Sequence, residues 1–197
     1  MMEGSQMNFD DAVKFHGHAC PGLAIGYRVA NLALKEFELR ARDEELVAIV
    51  ENNSCAVDAI QLICGCTFGK GNLVFKDYGK QVYTFIRRPN PEAIRIAVKW
   101  EPPPDDPETE ATWKLYAERD RSLEVTAAVQ DRKTRRMQAV LETDDTELFE
   151  VKKISVEIPG VARIYKSISC ASCGEKVMET RTRAVGGKVL CIPCSEK

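Results

Sequence analysis

Both histidines of the chain stand in one run, Phe15-His16-Gly17-His18-Ala19-Cys20-Pro21-Gly22. Imidazole nitrogen and thiolate sulfur are ligands of zinc and other transition ions. His16, His18 and Cys20 alternate, so an extended segment would turn all three to one side. Pro21 suits the first turn of a helix, which puts Cys20 just ahead of a helix N-terminus. That position favours a thiolate, and equally a bound anion. A thiolate beside an imidazole base is also what a cysteine nucleophile requires. The candidates for catalytic roles are Cys20, His18, Asp58 and Lys70.

A second group is Cys55, Asp58, Cys64 and Cys66. Asp58 follows Cys55 by three residues, hence on one helical face. With the first run it could build a mixed-ligand core site from His16, His18, Cys20, Cys55 and Cys66, with a position open to substrate. Cys55 and Cys64 can equally be small buried core residues, the better account for Cys64. Lys70, in Gly69-Lys70-Gly71, has two accounts. It belongs to a helix-to-strand turn with Gly69 or Gly71 at positive φ, or its ammonium serves an acidic ligand. The run is not a Walker A loop, which needs G-x-x-x-x-G-K-[ST].

The remaining four cysteines read Cys170-x-x-Cys173 and Cys191-x-x-Cys194, a C-x2-C-x17-C-x2-C pattern. Each pair offers two sulfurs from a tight turn, and four complete a tetrahedron around Zn²⁺. Two disulfides or free thiols are the alternatives. Four thiolates leave no open position, so this zinc is expected to be structural.

Elements must hold these groups in place. A short helix is expected near Asn8–Val13, and a long one from Pro21 to about Arg40. In the latter Leu23, Tyr27, Ala30, Leu34 and Phe37 build one apolar face. Leu46–Val50 reads as a buried strand, and Ser54 is placed to cap a helix over Cys55–Cys64. Leu73–Lys76 and Gln81–Arg87 read as strand, turn, strand, and Ile94/Ile96/Val98 as another strand. Glu101–Pro107 is a stiff break. Helices over about 108–119 and 133–141 and strands over 148–158 and 161–168 follow. Without regular βαβ alternation the class is α+β: a mixed or antiparallel sheet with packed helices, plus a small zinc-ribbon-like domain. The expected domains are residues 1–165 and 166–197.

The chain has 197 residues, 28 Lys+Arg against 30 Asp+Glu, and a net charge of -2. That excludes a uniformly basic nucleic-acid binder, and 44% hydrophobic content excludes disorder as the main state. Eight cysteines are too few for a small disulfide scaffold, which carries ~8–10%. No apolar run approaches the ~20 residues that span a bilayer, and Met1–Asp11 has no basic region of a signal peptide. A cytoplasmic chain with no membrane partner is expected, and its thiols are then reduced.

The histidine–cysteine run, continued as Leu23-Ala24-Ile25-Gly26-Tyr27-Arg28, resembles a signature of the FmdE family, which takes its name from formylmethanofuran dehydrogenase. Cys55-Ala56-Val57-Asp58-Ala59-Ile60-Gln61 and Gly65-Cys66-Thr67-Phe68-Gly69-Lys70-Gly71-Asn72-Leu73 resemble a second. The resemblance implies an α+β core in intertwined homodimers, some with a zinc-finger appendix. It also implies association with a molybdenum or tungsten enzyme, hence oxidoreductase association and molybdenum metabolism, and leaves open whether the chain is itself an enzyme. By matching position, His16, His18, Cys20, Cys55, Asp58, Cys66 and Lys70 are implied to line the site. The resulting expectation is a metal-binding accessory or redox-linked protein with structural Zn²⁺ and a second transition-metal ion in the core. The alternative is a metal- or ligand-sensing module acting through the finger. In that reading Arg132-Lys133 and Arg135-Arg136 would serve a nucleic-acid partner.

Overall fold

The computed structural model describes residues 7–197. They form two compact units, one ending at Val161 and one spanning Ala162–Lys197. The first is α+β. It opens with α1 (Phe9–His16) and α2 (Pro21–Phe37), followed by β1 (Leu46–Val50), α3 (Ala56–Cys64), β2 (Leu73–Phe75), β3 (Val82–Arg87) and β4 (Glu92–Val98). After the proline-rich break come α4 (Pro107–Ala117), α5 (Leu123–Glu142), the short α6 (Asp145–Leu148) and β5 (Phe149–Ser155).

The strands form one sheet in the order β2-β1-β3-β4-β5. Only β1 and β2 run parallel; the other neighbours are antiparallel. β1 is buried along its whole length. Its alternate side chains divide between two clusters. Leu46, Ala48 and Val50 join Phe85, Ile94 and Ile96 beneath α2 and α3. Val47 and Ile49 join Ile86 and Ala93 on the opposite face, partly covered by Ile154, Val156 and Ile158.

Three expectations are corrected here. β2 and β3 are not a hairpin, because β1 lies between them. β2 instead returns from α3 to pair in parallel with β1, the connection expected of a β-α-β crossover. α5 begins ten residues before the expected start. Its buried residues Val125, Val129 and Val140 are widely spaced among polar ones, so the apolar face is hard to read, and Leu123 in its first turn is exposed. Of the strand expected at 161–168 only β6 (Ser167–Ser169) forms.

α5 is fastened at its C-terminal end and along its middle. Arg28 of α2 donates to the Val140 and Leu141 carbonyls, each at 2.7 Å, and pairs with Asp145 at 2.7 Å. A guanidinium there satisfies carbonyls that the helix end leaves free. Asp105 pairs with Arg132 at 2.6 Å and Arg136 at 2.8 Å. The Arg132 hydrogen bond, with the surrounding guanidiniums, holds the Asp105 carboxyl below its usual range.

The second unit contains two hairpins, β6 with β7 (Lys176–Met178) and β8 (Thr182–Val185) with β9 (Lys188–Cys191), then α7 (Ile192–Ser195). Gly186 and Gly187 both take positive φ between β8 and β9. Adjacent left-handed residues make the turn that a two-residue hairpin prefers. No helix among the described residues is long and apolar enough to cross a membrane.

Candidate metal centres

The core site is built from the ends of three helices. α1 stops at His16 because Gly17 adopts φ 93°, its N–H bonding back to the Val13 carbonyl at 2.8 Å. Three residues later Cys20 caps α2, with Pro21 in the first turn. The Leu23 N–H donates to Cys20 Sγ at 3.4 Å. His16 and Cys20 thus meet across a helix-turn-helix corner, with His16 Nε2 3.9 Å from Cys20 Sγ. The expected extended segment is not what unites them: His16 is helical.

Cys55 arrives from the loop after β1. Asn52 shapes that loop. Its Oδ1 accepts from the Ser54 N–H at 3.0 Å and from Ser54 Oγ at 2.7 Å, while its Nδ2 donates to the Lys80 carbonyl at 2.7 Å. Ser54 is therefore engaged with Asn52, and Cys55 occupies the cap position without a side-chain capping bond. Gly22 makes room for it: a Cβ there would stand 3.2 Å from Cys55 Cβ. Asn52 and Gly22 were not singled out from the sequence. The Asn52-Asn53-Ser54 run is the turn signal that bears on the first.

One ligand atom each from His16, Cys20 and Cys55 lies within 4.8 Å of the other two. Behind them Asp58 Oδ2 stands 2.7 Å from His16 Nδ1. The carboxylate fixes a proton on Nδ1 and leaves the Nε2 lone pair facing the sulfurs. Burial, followed by the neighbouring Cys20 thiol, raises the Cys55 thiol above its ordinary value. A cation that displaces its proton also removes the conflict between the two sulfurs. Two sulfurs and one imidazole are a donor set that suits zinc and leaves a fourth tetrahedral position open.

The other expected residues stand apart from this group. His18 is exposed, with its ring centroid 4.5 Å from that of His16. Cys66 is buried, and its thiol donates to the Leu46 carbonyl at 3.3 Å. Burial pushes that thiol up to about 12. Lys70 Nζ donates to the Ala41 and Arg42 carbonyls at 3.4 and 3.3 Å, on the turn where Gly71 has φ 82°. The reason is length. Cys55 precedes α3 and Cys66 follows it, and nine helical residues rise about 14 Å. Cys64 is fully buried and donates to the Ala30 carbonyl at 3.7 Å, as a core thiol does.

In the second unit Cys170, Cys173, Cys191 and Cys194 bring their sulfurs within 4.8 Å of one another. Backbone N–H groups of Cys173, Cys191 and Ser172 lower the Cys170 thiol to about 6. Such donors favour the thiolate that a metal ligand must be. The four sulfurs suit zinc, with no position left open.

Comparison with known proteins agrees with this division. Residues 15–150 match the family described as "FmdE, Molybdenum formylmethanofuran dehydrogenase operon". Residues 163–197 match the "Prokaryotic dksA/traR C4-type zinc finger". The chain is 31% identical over 192 residues to a "Probable S-adenosyl-L-methionine-binding protein" of Archaeoglobus fulgidus, covering 93% of this chain and 51% of that protein. It thus spans about half the length of that curated relative. Its fold is similar to the crystal structure of a "tungsten formylmethanofuran dehydrogenase subunit e (fmde)-like protein" from Syntrophus aciditrophicus. The TM-score is 0.59 at 22% identity, covering 96% of this chain and 92% of the other. Since the first match takes in the helix ends, the whole sheet except most of β5, and α4 and α5, the chain belongs to the FmdE family.

Proposed function

We propose that the chain is a metal-binding accessory protein whose core, residues 1–165, holds one transition-metal ion on His16, Cys20 and Cys55. Residues 166–197 form a separate structural zinc domain. The observation that carries this reading is the three-donor group with Asp58 behind His16. The open fourth position lets the ion act on a ligand as a Lewis acid. Within that role His16 and the two cysteines bind, Asp58 orients, and the exposed His18 ring stands at the approach. By family the partner is a molybdenum or tungsten enzyme, the setting is cytoplasmic, and the link to redox metabolism is through that partner.

A homodimer fits two surface features. The segment joining the units exposes Val161, Ile164 and Tyr165, with Ile164 fully exposed. The outer sheet face carries a groove of about 500 Å³ lined partly by Ile49, Val74, Ile154 and Ile158. Sedimentation velocity tests the dimer.

Metal analysis of purified protein tests the core site. The expected content is two ions per chain in the wild type and one in the Cys170→Ser/Cys173→Ser variant. Loss of all metal from that variant would overturn the core centre. A Cys20→Ser/Cys55→Ser variant should keep only the finger's zinc.

The sensing reading has one observation in its favour, the Archaeoglobus relative described as a probable S-adenosyl-L-methionine-binding protein. Titration of the full chain with that compound in a calorimeter tests it. The nucleic-acid version is weakened by the pairing of Arg132 and Arg136 with Asp105.

A further inference from the structure

We infer that Cys20 and Cys55 form a reversible disulfide on exposure to peroxide, and that this releases the core metal while the finger keeps its own. The inference deepens the reading of the three-donor group as the functional centre and rests on it.

Five observations place the two thiols as a pair. Their sulfurs share a group within 4.8 Å. Both are partly accessible, unlike Cys64 and Cys66, which are buried. Cys55 lies over Gly22, two residues beyond Cys20, where the missing Cβ leaves space for the side chain to turn. The Leu23 N–H points at Cys20 Sγ at 3.4 Å, which holds that sulfur at the start of α2. The His16 ring stands at 3.9 Å from the same sulfur. These features assign Cys20 as the attacking sulfur and Cys55 as the resolving sulfur. By contrast, the four finger sulfurs can fill all four positions around one ion, whereas the three-donor group leaves one side open to peroxide.

The chemistry balances with hydrogen peroxide as the oxidant. Cys20 sulfur attacks one peroxide oxygen, the O–O bond breaks, and hydroxide leaves to become water with a proton. Cys20 is then a sulfenic acid. Cys55 sulfur attacks it, an S–S bond forms, the S–O bond breaks and a second water leaves. Two thiols lose two electrons and one peroxide gains them. A disulfide sulfur is a poor ligand compared with a thiolate, so an ion bound by both cysteines loses two of its three protein donors.

The test uses the full chain with one equivalent of hydrogen peroxide, with and without core metal. Peptide mapping should find a Cys20–Cys55 cross-link lighter by two hydrogens. A chromogenic chelator should take up one ion per chain from the loaded protein, and dithiothreitol should reverse both changes. Cys55→Ser should stop at a Cys20 sulfenic acid that dimedone labels, and Cys20→Ser should give no label at that site. A cross-link from either cysteine to any other, finger oxidation ahead of Cys20, or Cys20 left unoxidised would each overturn the inference. The cross-link is also expected in metal-free protein. Failure of the metal reading and failure of the disulfide therefore give different results.

Discussion

Asp58 touches no ligand position, yet it sets what His16 can do. Its carboxylate holds Nδ1–H at 2.7 Å, so Nε2 carries the lone pair. Asp58→Asn should weaken core-metal affinity by about 10–100-fold while the finger retains its zinc. Asp58→Glu should recover part of the loss if the carboxylate is what matters. Competition with a fluorescent chelator measures both. The sequence put Asp58 with Cys55 on one helical face. The three-donor group was partly legible there, because His16, Cys20 and Cys55 are ligand types at helix boundaries. The pairing of Asp58 with His16 was not, since it joins residues 42 apart through the packing of α1 against α3. Cys66 and Lys70 were expected at the site from ligand type and charge as well as signature position, and the length of α3 carries them away from it.

Among the elements, the contact that positions the site is α2 against α3. Gly26 of α2 is buried against the Ala56 backbone of α3, well inside van der Waals distance of any added Cβ. Gly26→Ala should therefore force the helices apart and cost about 1–3 kcal/mol, read as a lower urea midpoint. Because Cys55 stands at the start of α3, the same variant should also loosen core-metal binding. Helices with a clear apolar face, such as α2, were legible in the sequence. So was β1, whose β-branched run fits a strand buried on both faces. Partner choice was not legible. Local turn chemistry between Asp77 and Lys80 suggested a hairpin, but long-range pairing put β1 between the two strands.

For the whole molecule, buried acids set the alkaline limit. Burial raises Cys64, Cys66 and Tyr83 above their ordinary values, Cys66 to about 12. An unfolded chain would release thiol protons from about pH 8.5. The folded chain still holds the Cys66 proton until about 12. It thus binds more protons than the unfolded chain in that window, and stability falls as pH rises. The slope reaches at most about 1.4 kcal/mol per pH unit for each such thiol. Urea midpoints at about pH 8 and pH 10 should show the drop, and Cys66→Ala should reduce it. The second unit depends on something else. It spans Ala162–Lys197, and a unit below about 40 residues rarely folds without a metal or cross-link. Chelation of its zinc should collapse the dispersion of amide signals from residues 170–194, and added zinc should restore it.

The core donors also share a position that their chemistry does not require. His16 ends α1, Cys20 caps α2 and Cys55 caps α3, the last without a side-chain bond to its first turn. Helix termini fray because their outer peptide groups lack intrahelical partners. An ion held on all three is a clasp on three fraying ends at once. Its arrival should register in the backbone as slower deuterium uptake at the first turns of α2 and α3.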